Sequence, residues 1–262
     1  MHVLIRKLLS LHSLSDEEQS AMLAAIDVTR VVERGSDIAQ DGSTPTYSTV
    51  ILEGLACRYK LFPDGRRQIL SFQYAGDVVD LYSYVLKKLD HGIGALTQCK
   101  VSHIPHQEIE RLCAKYPNLA YALWRDTLVD TSKLHSSIMT LGRRSSKERL
   151  AHLLCEQFIR FFAVGLTTPG EPVRFSITQS DIADATGLSL VHVNKTLKRL
   201  KDDGLIGRNP NELQILDWEG LKQVAGFDPS YLHFKNLDVS QDHLPTCNTP
   251  DTGPIRGPVG VC

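Results

Sequence analysis

Apolar positions change their period several times along the chain. Residues 4–11 and 16–26 carry helical spacing, and Ser15 followed three residues later by Glu18 marks the second start as a capping box. From about Thr29 to Pro105 the pattern shortens into β-rich runs at 31–33, 47–52, 56–61, 68–73, 94–98 and 100–104. Turn signals separate them: Arg34-Gly35-Ser36-Asp37, Gln40-Asp41-Gly42-Ser43, Pro63-Asp64-Gly65 and Gly76-Asp77. Short strands at this spacing, with Gly and Asp between them, predict a small β-barrel or jelly roll.

Helical spacing returns at 106–114, and 117–141 then runs on with no Gly or interior Pro. Within it Leu123, Thr127, Asp130, Leu134, Ile138 and Leu141 recur three and four residues apart, Thr127 and Asp130 being polar. Such a seam predicts a helix that packs against its own copy, which makes Leu123, Thr127, Leu134, Ile138 and Leu141 the expected homodimer contacts. The alternative is a helix buried within one subunit. Gly142-Arg143-Arg144 reads as a hinge, 146–163 as an amphipathic helix, 167–172 as a loop and 173–177 as a short strand. The Pro/Gly/Thr-rich end is without periodicity and is expected to be a disordered tail, 235–262. The organisation predicted is therefore a roll over 1–116, a dimerisation helix over 117–142 and a second domain over 143–234.

Composition narrows the class. With 42% hydrophobic and 23% charged residues over 262 positions, the chain suits globular domains rather than disorder. No apolar run approaches the roughly 18–20 residues of a membrane helix. The N-terminal apolar run is broken by Arg6 and Lys7 and followed by acids, a poor secretion signal, so a cytoplasmic address and no membrane partner are expected. Cys57, Cys99, Cys113, Cys155, Cys247 and Cys262 form no CxxC pair and no zinc spacing, so no metal and no cofactor are expected. The net charge of −1 conceals a local excess, because residues 189–201 carry Lys195, Lys198, Arg199 and Lys201 and no acid. Phosphate binding requires such a patch.

That patch lies in FSITQSDIADATGLSLVHVNKTLKRLKDDGLIGRNPNELQILDW. Thr178 is placed to cap a first helix over 179–186, with Asp181 in its first turn. Gly187 stands where a tight turn needs positive φ, and Ser189 caps a second helix. Val193, Leu197 and Leu200 are spaced to face inward, with small Ala183 allowing the two helices to cross closely. Residues 204–206 and 213–216, separated by Arg208-Asn209-Pro210-Asn211, predict a two-stranded wing. The unit reads as a winged helix-turn-helix for double-stranded DNA. Its expected DNA contacts are Thr178, Gln179, Ser189, Leu190, Val191, His192, Asn194, Lys195, Lys198, Arg199, Lys201 and Arg208. A helical hairpin that merely packs would need neither the glycine register nor the wing.

Over about residues 1–234 the chain resembles the Crp/Fnr family of bacterial regulators. The resemblance is carried by LIRKLLSL…LSDEE, by EGLACRYKLFPDGRRQILSFQYAGDVVDL, by the long helix, by RRSSKERLAHLL and by the helix-turn-helix. It implies an α+β fold: an N-terminal β-roll of the cyclic-nucleotide-binding type, a long dimerisation helix and a C-terminal winged helix-turn-helix. It also implies RNA polymerase as a partner, with activation or repression set by position on the promoter.

Departures from the family pattern bear on control and specificity. Nucleotide-binding members hold ribose and phosphate with a Gly-Glu pair and an Arg-Ser or Arg-Thr pair. Here those places hold Asp80-Leu81 and His91-Gly92, so these four residues mark the effector position while cyclic AMP is not the expected effector, which stays unknown. Lys87 and Lys88 are off-register. The family's iron–sulfur members carry an N-terminal cysteine cluster, and residues 1–56 contain no cysteine. Where well-known members place Arg-Glu and then Arg on the second helix, this chain has Leu190, Val191 and Lys195, which implies a different operator. Lys195 suits a guanine edge and Val191 a thymine methyl.

Two other classes compete with this reading. A metal-dependent cupin-like enzyme would require an HxH and further ligands, whereas the nearest pair is His103 and His106. A non-specific architectural DNA-binding protein would have little use for a sensor-like roll.

Overall fold

The computed structural model describes residues 1–167, 176–209 and 212–235. Two helices open the chain, α1 (Val3–Leu11) and α2 (Asp16–Ala24), the latter closed at its start by the Ser15–Glu18 capping box. Seven strands follow: β1 (Thr29–Val32), β2 (Asp37–Ala39), β3 (Tyr47–Glu53), β4 (Leu55–Leu61), β5 (Arg67–Tyr74), β6 (Gly92–Ala95) and β7 (Cys99–Pro105). The short helix α3 (Ser83–Leu86) interrupts them. They form two antiparallel sheets ordered β1-β7-β3 and β2-β6-β4-β5. The β4–β5 hairpin turns at Pro63-Asp64-Gly65, where Gly65 takes φ +82° and Asp64 accepts from the Arg66 N–H. Val32, Ile38, Ile51, Val79, Ile93 and Val101 fill the interior of the roll.

Helix α4 (His106–Lys115) leads into the 27-residue α5 (Pro117–Arg143). A second core beneath the roll gathers Leu4, Ile5 and Leu8 of α1, Ile109 and Leu112 of α4, and Leu119, Ala122 and Leu123 of α5. Then come α6 (Ser146–Ala163), α7 (Gln179–Thr186), α8 (Leu190–Asp202), β8 (Ile206–Asn209), β9 (Glu212–Ile215) and α9 (Trp218–Ala225), with a 3-10 turn over Pro229–Leu232. These build a third core from Leu150, Leu154, Phe158, Ile182, Val193, Leu197, Leu200, Ile206, Ile215, Trp218 and Leu221. A roll, a long helix and a winged helix-turn-helix are thus the α+β fold expected from the sequence.

The two ends of the molecule are packed together. Leu55, Cys57, Ile69, Phe72 and Tyr74 on one face of the β4–β5 hairpin meet Leu153, Phe161, Ile177 and Ala185. Beside this contact lies a buried ion network. Lys7 on α1 bonds Asp77 (3.0 Å) and Asp126 (2.9 Å), Arg160 on α6 bonds Asp77 (2.8 Å), and Asp130 on α5 binds Arg58 (2.7 Å) and Lys133. Burial opposes ionisation of Asp77, but Lys7 and Arg160 outweigh it and hold the carboxyl well below the usual range.

Several expectations need correcting. β2 lies between two segments read as turns and shares Asp37 with the first, and α3, α9 and the 3-10 turn lie where no element was expected. The hinge begins later than expected, since α5 includes Gly142 and Arg143. The loop expected at 167–172, the strand at 173–177 and the tail at 235–262 lie mostly outside the described residues, as do Cys247, Cys262, Pro210 and Asn211.

Candidate nucleic-acid interface

The helix-turn-helix is assembled from local rules. Thr178 Oγ1 accepts from the Asp181 N–H, and the Asp181 carboxylate accepts from the Thr178 N–H, closing a capping box on α7. Gly187 ends α7 at φ +64°, a left-handed conformation costly for a residue with a Cβ. Ser189 Oγ accepts from the His192 N–H and starts α8. Val193, Thr196, Leu197 and Leu200 are buried, which turns Leu190, Val191, His192, Asn194, Lys195, Lys198, Arg199 and Lys201 outward along one face. Asp202 and Asp203 come only at the end of α8, where Asp203 pairs with Lys147 (2.7 Å). Thr178 and Gln179 stand half-buried at the start of α7. In the wing, Arg208 on β8 is registered opposite Leu213 on β9, and its side chain is outside the described residues.

Two residues that sequence reasoning missed fasten this unit to the roll. Arg67 on β5 forks between Asp181 (2.7 Å) and Asp184 (2.8 Å) of α7, and Gln68 donates to the Ala185 carbonyl. The fork aligns two carboxylates with a base more than a hundred positions away, so no local pattern reveals it.

The outward apolar face of α5 differs in phase from the expected seam. Leu134, Ile138 (68% exposed) and Leu141 are exposed and Thr127 is half-buried, in keeping with an outward face. Leu123 is the correction: it is only 4% exposed and belongs to the core with α1. Asp130 likewise turns inward to Arg58 and Lys133. Tyr121, Trp124, Leu128 and Met139 join the exposed set instead.

At the effector position the polar groups serve the chain itself. Asp80 is fully buried and accepts from the N–H and Oγ1 of Thr49; burial pushes its carboxyl up to about 6 against those bonds. Leu81 packs against the core shared with α1. His91 contacts the Tyr82 hydroxyl (3.1 Å) and Asp90 (2.8 Å), and burial together with the nearby Arg58 lowers its pKa. The imidazole is therefore neutral at neutral pH and offers a phosphate no fixed charge. Gly92 lies against the Tyr59 ring, where a Cβ would stand only 2.7 Å from the ring's Cζ. Arg58, 5.9 Å from the Tyr82 ring centroid, donates from Nε to the Val79 carbonyl and from Nη1 to Asp130. Lys87 is exposed and lies over the Tyr84 ring.

His103 stacks on Tyr47 and His106 meets the edge of Tyr84. Among the described residues no group of three His, Cys, Asp or Glu is placed to hold a metal, and no helix is long and apolar enough to cross a membrane.

Comparison with known proteins agrees with this geometry. Residues 148–224 match the model of the Crp-like helix-turn-helix domain, and residues 29–116 that of the cyclic nucleotide-binding domain. The nitrogen fixation regulation protein FixK of Bradyrhizobium diazoefficiens is 30% identical over 187 residues, which cover 71% of this chain and 76% of that one. The transcriptional activator protein FnrL of Cereibacter sphaeroides is 25% identical over 216 residues, 81% of this chain and 86% of that one. Among solved structures, FixK2 from Bradyrhizobium japonicum shares the fold with a TM-score of 0.70 at 23% identity, covering 77% of this chain and 98% of that chain. With a roll and a helix-turn-helix that each match their family model, and a relative of this identity and coverage, the chain belongs to the Crp/Fnr family of transcription regulators.

Proposed function

We propose that this regulator binds a near-palindromic operator as a homodimer, reads it with α8, and is not controlled by cyclic AMP. The observation that carries the reading is the outward face of α8: a capped helix, held at a glycine turn, with four bases and no acid before its last residues. The proposed division is a sensor-like roll over 1–116, a dimerisation helix over 117–142 and a DNA-binding domain over 143–234, acting on RNA polymerase from a promoter site in the cytoplasm. Regulation of transcription, rather than catalysis, is the activity proposed.

Independence from cyclic AMP is supported by the effector position. A cyclic phosphate needs an available cation, and there His91 is neutral while Arg58 is committed to Asp130. Cyclic AMP at millimolar concentration is expected to change neither the melting temperature nor the DNA affinity. A saturable shift in either would refute this part of the reading.

Base reading is separable from phosphate binding. Lys195 lies in the first half of α8, nearer the Ser189 cap, whereas Lys201 stands in its last turn. On a duplex enriched from a random pool, Lys195→Ala is expected to cost roughly 1–3 kcal/mol per half-site and to relax preference at one base pair. Lys201→Ala should weaken all duplexes alike and lower the salt slope by about one for each phosphate no longer neutralised. Unchanged preference in Lys195→Ala would remove its base-reading role.

A further inference from the structure

The first turn of α8 carries two side chains without a hydrogen-bonding group on an otherwise basic face. Leu190 is 50% exposed and Val191 is 78% exposed, although Val193, Leu197 and Leu200 supply the helix's packing. Neither residue is needed to start the helix, which Ser189 caps. Val191, Lys195 and Lys198 are spaced i, i+4 and i+7 and so share one stripe of the helix surface. An apolar side chain at the head of a cationic stripe fits a polyanion that also presents an apolar group, and among base edges in the major groove that group is the C5 methyl of thymine.

Resting on the proposal that α8 enters the major groove, we infer that its first turn selects thymine by methyl contact, with Val191 as the principal reader and Leu190 beside it. The selection has two sides. A thymine methyl against the valine leaves water, a gain proportional to the apolar area covered. The amino group of cytosine or adenine in the same place loses water against valine and leucine without gaining a partner. Each half-site therefore contains a thymine aligned with the start of α8, and hydrogen-bonding side chains, Lys195 among them, follow it along the helix.

The test uses the full chain and a duplex enriched from a random pool, with deoxyuridine replacing thymine at one position of both half-sites at a time. Deoxyuridine keeps the pairing edge and removes only the methyl. Burial of one methyl-sized group corresponds to about fourfold in affinity. The wild type is expected to lose roughly ten- to twentyfold at one such position, both half-sites together, and under twofold at unread thymines. Val191→Ala, at a site too exposed to support the fold, should lose less than threefold at that same position, while Val191→Thr, which keeps a branched methyl, should retain most of the effect. If wild-type binding remains specific but no deoxyuridine matters by more than twofold, methyl reading is overturned. A methyl effect untouched by Val191→Ala overturns the assignment to Val191. Failure of the pool to enrich any duplex overturns the DNA-binding proposal itself, and this inference with it.

Discussion

Replacing Leu134 and Ile138 together by aspartate is expected to produce folded monomers and to weaken operator binding by at least a hundredfold. Both side chains stand on the outward face of α5, in line with exposed Trp124, Leu128 and Leu141, and neither belongs to a core of the single chain. A contiguous apolar surface of this kind marks an interaction site, and a second copy of the same helix offers the matching face. Two aspartates per chain would meet across it, placing like charges in a desolvated seam. A single protomer then holds one half-site without the effective concentration that tethers the second, a loss on the order of 10²- to 10⁴-fold. Sedimentation at micromolar protein and a binding titration measure both effects. A variant that stays dimeric would show that the seam lies elsewhere, and a monomeric wild type would exclude it altogether.

The second large effect concerns stability. Arg160→Met is expected to cost about 1–3 kcal/mol, because it takes a buried donor away from the Phe72 carbonyl and from Asp77, although Lys7 still pairs with that carboxylate. Arg160 bonds Asp77, donates to the Phe72 carbonyl and lies over the Tyr74 ring at 4.8 Å, so its loss loosens α6 from the roll. The network is not therefore a net source of stability over a well-packed apolar equivalent, and only its interruption is costly. The pH dependence has a definite sign. The carboxyl of Asp77 is held below its unfolded value, so its contribution is present at neutral pH and is lost as pH falls below the ordinary carboxylate range. With Arg160 gone that depression shrinks, and the variant's melting temperature should fall less steeply with acid than the wild type's. Equal melting temperatures at neutral pH would contradict the role given to Arg160.

Legibility in the sequence followed the range of the interactions. The helix-turn-helix was readable because its determinants are neighbours: Thr178 with Asp181, Gly187 at the turn, Ser189 with His192, and Val193, Leu197 and Leu200 on one face. The hairpin at Pro63-Asp64-Gly65 is local in the same sense. The phase of α5 was not readable, because that helix has one apolar face toward α1 and another toward the outside. A single run of three- and four-residue spacings mixes Leu123 from the first with Ile138 from the second. β2, three residues long, is too short for period two to register, and it exists by pairing with β6. The ion network and the Arg67 fork were invisible for a different reason. Lys7 and Arg160 sit in runs that read as apolar helix faces, and their partners lie about seventy or more residues away. Burial of Asp80 and neutrality of His91 are likewise products of packing, although their departure from the nucleotide-binding pattern was plain in the sequence.

The measurement that bears most directly on the account is selection of bound duplexes from a random DNA pool by the full-length protein, followed by determination of the stoichiometry on the enriched sequence. Two copies of α8 related by a two-fold axis enter successive major grooves, so the enriched sites should contain two inverted half-sites centred about 34–36 Å, roughly 10 base pairs, apart. Each site should bind two chains. Enrichment of no sequence, or of a single unpaired half-site occupied by one chain, would contradict the proposal of a homodimeric operator-reading regulator.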